Sequence, residues 1–245
     1  MNEESAANEM NVRVDTIVRP RLLDLYCCAG GAGMGYARAG FEITGVDVVR
    51  HKRNPHPVIE ADALSLEPEW IAANFDAIHA SPPCQGYSAM KHAPGAKGAP
   101  RLIGATRELL QATGLPWVIE NVEMAASEML NPVTLCGTML GLGAQGHDLH
   151  RHRLFETSFS VAPLACRHTE RPVIGVYGGH ARCRSAKHGG RKTRDVWEGG
   201  HKAAATEALG IDWMTLGELS EAIPPAYTEY LGWQLRAALM LRQVA

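Results

Sequence analysis

Short apolar runs separated by stretches of helical spacing set the architecture this chain predicts. Leu22 to Tyr26, Phe41 to Val46, Pro57 to Glu60, Phe75 to Ala80 and Trp117 to Ile119 are each too short for a helix and read as strands, most of them buried. Between the first two lies Ala29-Gly30-Gly31-Ala32-Gly33-Met34-Gly35, leading into Tyr36-Ala37-Arg38-Ala39, a helix ended by Gly40. Strand, glycine turn, helix and strand within about 30 residues make a βαβ unit. An α/β fold with a mostly parallel sheet follows, with ligands at the carboxyl ends of its strands.

Further along, helical spacing from about Arg101 to Thr113 is stopped by Gly114-Leu115-Pro116. After Pro132 the pattern breaks up: Val133 to Cys136 and Leu154 to Phe159 read as strands, antiparallel at the sheet edge, and Ala162 to His201 has one convincing strand, Val173 to Tyr177. Helical spacing returns from Ala203, and Pro224-Pro225 precedes a last amphipathic helix over about Ala226 to Gln243. The organisation expected is a flexible tail over 1–18, a main domain over 19–157, a small segment over 158–203, and C-terminal helices over 204–245 that return to the main domain.

Charge singles out the small segment. Arg151 to Lys202 carries 11 Lys and Arg against 4 Asp and Glu, whereas the rest carries 13 against 22, within a net charge of -2. A basic stretch on an otherwise acidic chain is the footprint of a polyanion contact. Six scattered cysteines, Cys27 and Cys28 adjacent, suit reduced thiols better than a disulfide frame. With neither a leader-like start nor about 18 consecutive apolar residues, the expectation is a soluble, cytoplasmic protein without a membrane partner.

Candidate chemistry sits on the strand ends. Ser81-Pro82-Pro83-Cys84-Gln85-Gly86-Tyr87-Ser88 leaves its strand extended, because two prolines fix φ and disfavour α geometry before them. Read alone, Cys84 is either a presented thiol or a small buried residue. Glu120-Asn121-Val122 ends the next strand, on the same rim. The glycine loop does not fit the dinucleotide spacing well and lacks a phosphate-cradling Lys-Ser or Lys-Thr, which suits a nucleoside ligand without pyrophosphate. Asp47 is placed to accept from ribose hydroxyls and Asp62 from an adenine amino group. Cys166, His168, Cys183 and His188 do not form a standard zinc spacing, so no metal is assigned.

Asp24-Leu25-Tyr26-Cys27-Cys28-Ala29-Gly30-Gly31, Pro83-Cys84-Gln85, Glu120-Asn121-Val122 and Arg151-His152-Arg153, in this order, resemble the motif series of cytosine-C5 DNA methyltransferases. The resemblance spans about Arg21 to Phe155 and resumes over about Met214 to Leu235. It departs at Leu149, where the family usually has Gln, at Asp47, where Glu is usual, and in lacking Gly-Asn-Ser before the last helix. It implies a Rossmann-like S-adenosylmethionine-dependent methyltransferase fold with a small inserted target-recognition lobe. Cys84, Glu120, Arg151 and Arg153 would be catalytic. S-adenosyl-L-methionine would be held by Asp24, Tyr26, Cys27, Ala29, Gly30, Gly31, Gly33, Asp47, Val48, Asp62, Ala63 and Pro82. Nucleic acid would meet Gln85, Ser88, Lys91, Arg182, Arg184, Lys187, Arg191 and Lys192, with Lys91 to Pro100 as the loop closing over a flipped base. The implied partner is double-stranded DNA, acted on by a monomer in a bacterial cytoplasm or, phage-encoded, in that of a host, with room for a cognate restriction endonuclease. The alternatives are a tRNA or other RNA cytosine-C5 methyltransferase and a catalytically silent nucleic-acid-binding homologue.

Overall fold

Parallel pairing organises the larger sheet. The computed structural model describes residues 19–87, 99–184 and 197–243. Its first strands and helices are β1 (Arg21–Leu25), α1 (Gly31–Arg38), β2 (Glu42–Asp47), β3 (Val58–Glu60), α2 (Pro68–Asn74), β4 (Ala77–Ala80), α3 (Ile103–Ala112) and β5 (Trp117–Asn121). Then come β6 (Val133–Leu135), β7 (Gly143–Ala144), β8 (His147–Leu149), β9 (Arg153–Thr157), β10 (Val173–Tyr177), β11 (His180–Cys183), α4 (Gly200–Leu209), α5 (Leu216–Glu221) and α6 (Pro225–Gln243). The seven-stranded sheet has the order β3-β2-β1-β4-β5-β9-β6. All pairs from β3 through β5 are parallel, and β9 runs antiparallel to both β5 and β6. The chain is thus the expected α/β protein, with the predicted antiparallel strands at one edge. Because β1 is flanked by β2 on one side and β4 on the other, the strand order reverses there, which opens a crevice at the carboxyl ends.

Alternation along each strand builds two apolar layers. Leu22, Ala77 and Val118 face α1 and α6, packing with Tyr36, Tyr227, Leu231 and Leu235. Leu23, Ile78 and Ile119 face the opposite layer, with Ile71 of α2 and Ile103 and Leu110 of α3. Helix α2 lies in a stretch to which no element was assigned; Pro68 at its first turn, where no N–H is needed, was its available signal. Arg107 on α3 grips Glu156 on β9, Nε to Oε1 at 2.5 Å and Nη2 to Oε2 at 2.7 Å, which ties this layer to the antiparallel edge.

The smaller body differs from the segment expected over 158–203. Its four-stranded sheet, ordered β11-β10-β8-β7, takes β7 and β8 from before residue 157. It packs on α4 and α5 through Leu149, Ile174, Val176, Ala204, Ala208, Leu209 and Leu219. Residues 158–172 between β9 and β10 contain no helix or strand. A second strand, β11, pairs with β10 across Gly178 and Gly179, whose φ angles of 57° and 73° suit a two-residue hairpin. No described helix is long and apolar enough to cross a membrane.

Candidate active site

The thiol loop is fixed from three directions. Pro82 is buried and Cys84 half-buried, and the Cys84 carbonyl accepts from Tyr87 N at 3.0 Å to close a turn. Tyr87 is buried, and its hydroxyl accepts from Ile103 N at 3.3 Å. Gly86 lets the returning chain pass: a Cβ there would lie 3.0 Å from the Ala99 carbonyl oxygen. The third tether is Asn121 on β5, whose buried Nδ2 donates to the Pro82 carbonyl at 2.9 Å. Its Oδ1 accepts from Val122 N at 2.9 Å, so the side chain is held in one orientation.

Glu120, the neighbour of Asn121, is buried on the same rim, and Arg153 Nε lies 3.2 Å from its Oε1. Burial pushes the Glu120 carboxyl above its usual range, against the opposing pull of Arg153 and a hydrogen bond from Ser81. The Cys84 thiol is also pushed up, by burial first and by the Glu120 charge second, while Arg153 pulls it down. Arginine thus favours the thiolate but does not outweigh burial in the resting site. Behind Ser81 runs a buried chain: Ser81 Oγ lies 2.8 Å from His79 Nε2, and His79 Nδ1 lies 3.1 Å from the Tyr36 hydroxyl. Burial drives the His79 imidazole down to about 3, so it is neutral and orients Ser81 by hydrogen bonding alone. Sequence reasoning passed over His79, Ser81 and Asn121 as site residues. A histidine inside the apolar run Phe75 to Ala80 was the available signal, since a buried polar group needs partners.

Arg151 and Arg153, two positions apart, would share one side if both lay on a strand. The structure separates them, because β9 begins at Arg153. Arg151 is fully buried and donates to the carbonyls of Val176 and Ser220, each at 2.8 Å, while its own carbonyl accepts from the Tyr227 hydroxyl. Its guanidinium therefore ties β10 and α5 to the main sheet, leaving Arg153 as the arginine paired with Glu120.

The residues assigned to a cofactor gather at the ends of β1, β2 and β3. Tyr26 and Cys28 have φ of 59° and 44°, so the chain turns sharply through non-glycine residues where β1 ends. Asp47 Oδ2 accepts from Cys28 N at 2.9 Å and Oδ1 from Val49 N at 3.1 Å, and each oxygen keeps acceptor capacity. Asp62 caps the short turn that begins at the buried Ala63, accepting from Leu64 N at 3.0 Å. Val48 beside Asp47 is 65% exposed, an apolar side chain free to cover a flat ring. The Tyr26 hydroxyl contacts Thr106 Oγ1 at 3.0 Å, the Ala29 carbonyl accepts from Trp213 Nε1 at 2.9 Å, and Asn54 Nδ2 lies 3.4 Å from Cys27 Sγ.

The glycines serve packing more than ligand approach. A Cβ at Gly31 would meet the Ile223 carbonyl at 2.6 Å, one at Gly30 would meet Asn54 Oδ1 at 2.6 Å, and one at Gly33 would lie 3.0 Å from Asp24 Oδ2. Asp24 is buried, and neither of its oxygens has a hydrogen-bond partner of good geometry. Burial, reinforced by Asp47 and opposed by the Gly33 N–H, raises its carboxyl to about 8. A carboxyl group held protonated near neutral pH thus lies beside Asp47.

Among the residues assigned to nucleic acid, Gln85, Arg182 and Arg184 are exposed, and Arg184 lies over the Tyr177 ring at 5.4 Å from its centroid. Ser88, Lys91, Lys187, Arg191 and Lys192, together with His188, fall outside the described residues, as does most of the Lys91 to Pro100 segment.

No family model matches the chain, and no curated protein matches it. Solved structures do. The Entamoeba histolytica methyltransferase EhMeth aligns with a TM-score of 0.58 at 11% identity, over 90% of this chain and 99% of that one. The Dnmt2 methyltransferase of S. pombe gives 0.55 at 12% identity, again over 90% and 99%. A prophage-encoded E. coli protein assigned as a DNA modification methyltransferase gives 0.54 at 14% identity, with the same coverage. The chain therefore has the Rossmann-like fold of the S-adenosylmethionine-dependent methyltransferases.

Proposed function

We propose that the protein is a DNA cytosine-C5 methyltransferase that uses S-adenosylmethionine. The observation that carries this reading is the fastening of Pro82 to Asn121, which sets the Cys84 loop against Glu120 with Arg153 at 3.2 Å from the carboxylate. Cytosine C5 is a poor nucleophile, and a thiol paired with a proton-holding carboxyl is the group set that overcomes this. Asp47 fits the cofactor through its negative charge, which a sulfonium and an α-ammonium would offset, and those cations would draw off the proton that Asp24 holds in the resting site, while Asp47, Val48 and Asp62 would hold the nucleoside. When bound, the cofactor supplies an electrophilic methyl group.

In this mechanism the Cys84 thiolate adds to C6 of a flipped-out cytosine, and the electron pair of the C5–C6 bond moves into the ring. Glu120 gives its proton to N3, leaving a neutral enamine and a carboxylate beside Arg153. C5 would then take the methyl group from the sulfonium, whose sulfur–methyl bond breaks to leave a neutral thioether, and the positive charge would pass to the ring amidine. Loss of the C5 proton to a solvent base reforms the C5–C6 double bond, expels the Cys84 sulfur as thiolate, and returns the N3 proton to Glu120. Exposed Arg182 and Arg184 would contact phosphates or guanine edges.

A duplex library carrying 5-fluorocytosine tests this reading, because fluorine at C5 blocks proton loss and stops the cycle at the covalent adduct. We expect cofactor-dependent trapping that disappears in Cys84→Ala. Trapping of tRNA in place of duplex would move the substrate to RNA. Absence of both adduct and methylation on either polymer would refute the catalytic reading.

A further inference from the structure

Where β6 ends and β9 begins, beside the rim, four metal-ligating side chains converge that the proposed reaction does not use. Cys136 follows β6, His152 immediately precedes β9, and Cys166 and His168 lie in the element-free stretch between β9 and β10. Their ligating atoms all lie within 4.8 Å of one another. Cys166 Sγ is 3.1 Å from His168 Nε2 and 3.5 Å from His152 Nε2, and Cys136 Sγ is 3.4 Å from His168 Nε2. A tetrahedral zinc held at about 2.3 Å from sulfur and about 2.1 Å from nitrogen sets each S···N edge at about 3.6 Å, close to all three.

Hydrogen bonding explains the cluster poorly. A thiol carries a single proton and sulfur accepts weakly, yet Cys166 faces two imidazoles and shares one of them with Cys136. Two sulfurs and two nitrogens around one point are instead a common zinc set. The surroundings are those of a supported site. His150 stacks on His168 with ring centroids 3.7 Å apart and planes at 13°. Thr138 Oγ1 lies 3.2 Å from Cys136 Sγ, where a hydroxyl can donate to a thiolate, and Glu123 Oε1 approaches the outer nitrogen of His152 at 3.9 Å.

We infer that Cys136, His152, Cys166 and His168 form a structural zinc site that staples the 158–172 stretch to the antiparallel edge of the sheet. A connection of this length without helix or strand is uncommon and needs a tether. Cys136 is buried on the sheet side, whereas Cys166 and His168 are exposed and come from the stretch itself, so the ion would supply the joint between them. Spacing within the loop could not reveal the set, because half of its ligands come from distant residues. The inference stands independently of the proposed reaction, although it adds a support for Arg153, whose Nη1 donates to the His152 carbonyl at 2.8 Å.

The test is metal content by plasma mass spectrometry on full-length protein produced with zinc and dialysed against metal-free buffer. We expect about one zinc per chain in the wild type, falling to near zero in Cys166→Ser and His168→Ala and unchanged in Cys183→Ala. The two loop variants lie at exposed positions, and circular dichroism checks that they fold. Alkylation mapped by mass spectrometry gives a second readout: Cys166 is protected in the zinc form and labelled once a chelator strips the ion. Zinc absent from folded wild type, full zinc in His168→Ala, equal Cys166 labelling with and without chelator, or a Cys136–Cys166 disulfide in place of metal would each overturn the site.

Discussion

Asn121→Ala removes the fastener between the thiol loop and the carboxylate strand. The side chain is 1% exposed and makes two bonds, Nδ2 to the Pro82 carbonyl and Oδ1 from Val122 N, each at 2.9 Å. Two lost hydrogen bonds cost about 1 kcal/mol each, and the buried Pro82 carbonyl left without a donor adds about 1–3 kcal/mol. The expected destabilisation is about 3–5 kcal/mol, or roughly 6–20 °C in Tm for a domain of this size. Activity should fall further than stability accounts for. A displacement of about 1 Å in a reacting group can cost about a hundredfold in rate, and the loop that loses its tether carries Cys84. Urea unfolding and steady-state methyl transfer, measured well below the variant's Tm, separate the two effects. A variant that loses the expected stability yet keeps wild-type kcat would refute the idea that this bond positions the thiol.

Arg107→Ala strands Glu156, 2% exposed, without its charge partner and should cost about 3–5 kcal/mol in urea unfolding. Gly35→Ala drives a Cβ to 2.1 Å from the Pro225 carbonyl oxygen and Thr228 Oγ1 and should destabilise by about 1–3 kcal/mol, whereas Gly104→Ala, in open space on α3, should stabilise slightly. Asp24 titrates near 8 in the fold against 3.8 ordinarily, so between these values the folded state holds a proton that the unfolded chain has released. Wild-type stability should therefore fall as pH rises through that window, while Asp24→Asn stays flat across it and binds the cofactor more weakly; parallel pH profiles would refute the shift. At a pH where Glu120 is ionised, Glu120→Gln should speed alkylation of Cys84 and Arg153→Met should slow it, because the first removes a charge that raises the thiol pKa and the second one that lowers it.

The sheet was legible because its strands are buried on both faces and read as apolar runs: β10 was expected and found over Val173 to Tyr177, and α6 lies within a residue of its expected start. The antiparallel edge strand was legible for the same reason. The division at residues 157 and 203 was not, because charge marked the small segment while its core is built from Leu149, Ile174 and Ala204, which charge cannot report. At the rim, residue type and order singled out Cys84 and Glu120 as candidates, and the fold sets both on the same rim. Alternation alone could not separate Arg151 from Arg153, since the strand begins between them. The positioning groups were hardest to see: Asn121 and His79 act through backbone and side-chain atoms that come from separate strands.

Burial raises both the Cys84 thiol and the Glu120 carboxyl and so favours the neutral form of each, with Arg153 as the nearby charge. Each group opposes ionisation of the other, and the same guanidinium favours ionisation of both. Under the proposed reaction these pressures do not conflict, because the two negative charges are never needed together. While Glu120 keeps its proton, the charge that raises the thiol pKa is absent, and Arg153 acts on the thiolate alone. Once sulfur has added to C6 and N3 has taken the proton, the sulfur is neutral and the carboxylate is charged, 3.2 Å from Arg153 Nε. The negative charge passes from sulfur to carboxylate while its counter-charge stays in place, held by the bond to the His152 carbonyl. A preorganised cation that need not move between the two steps is worth more in a buried site than in water. That gives a physical reason for setting a single arginine at the junction of the thiol loop and the carboxylate strand.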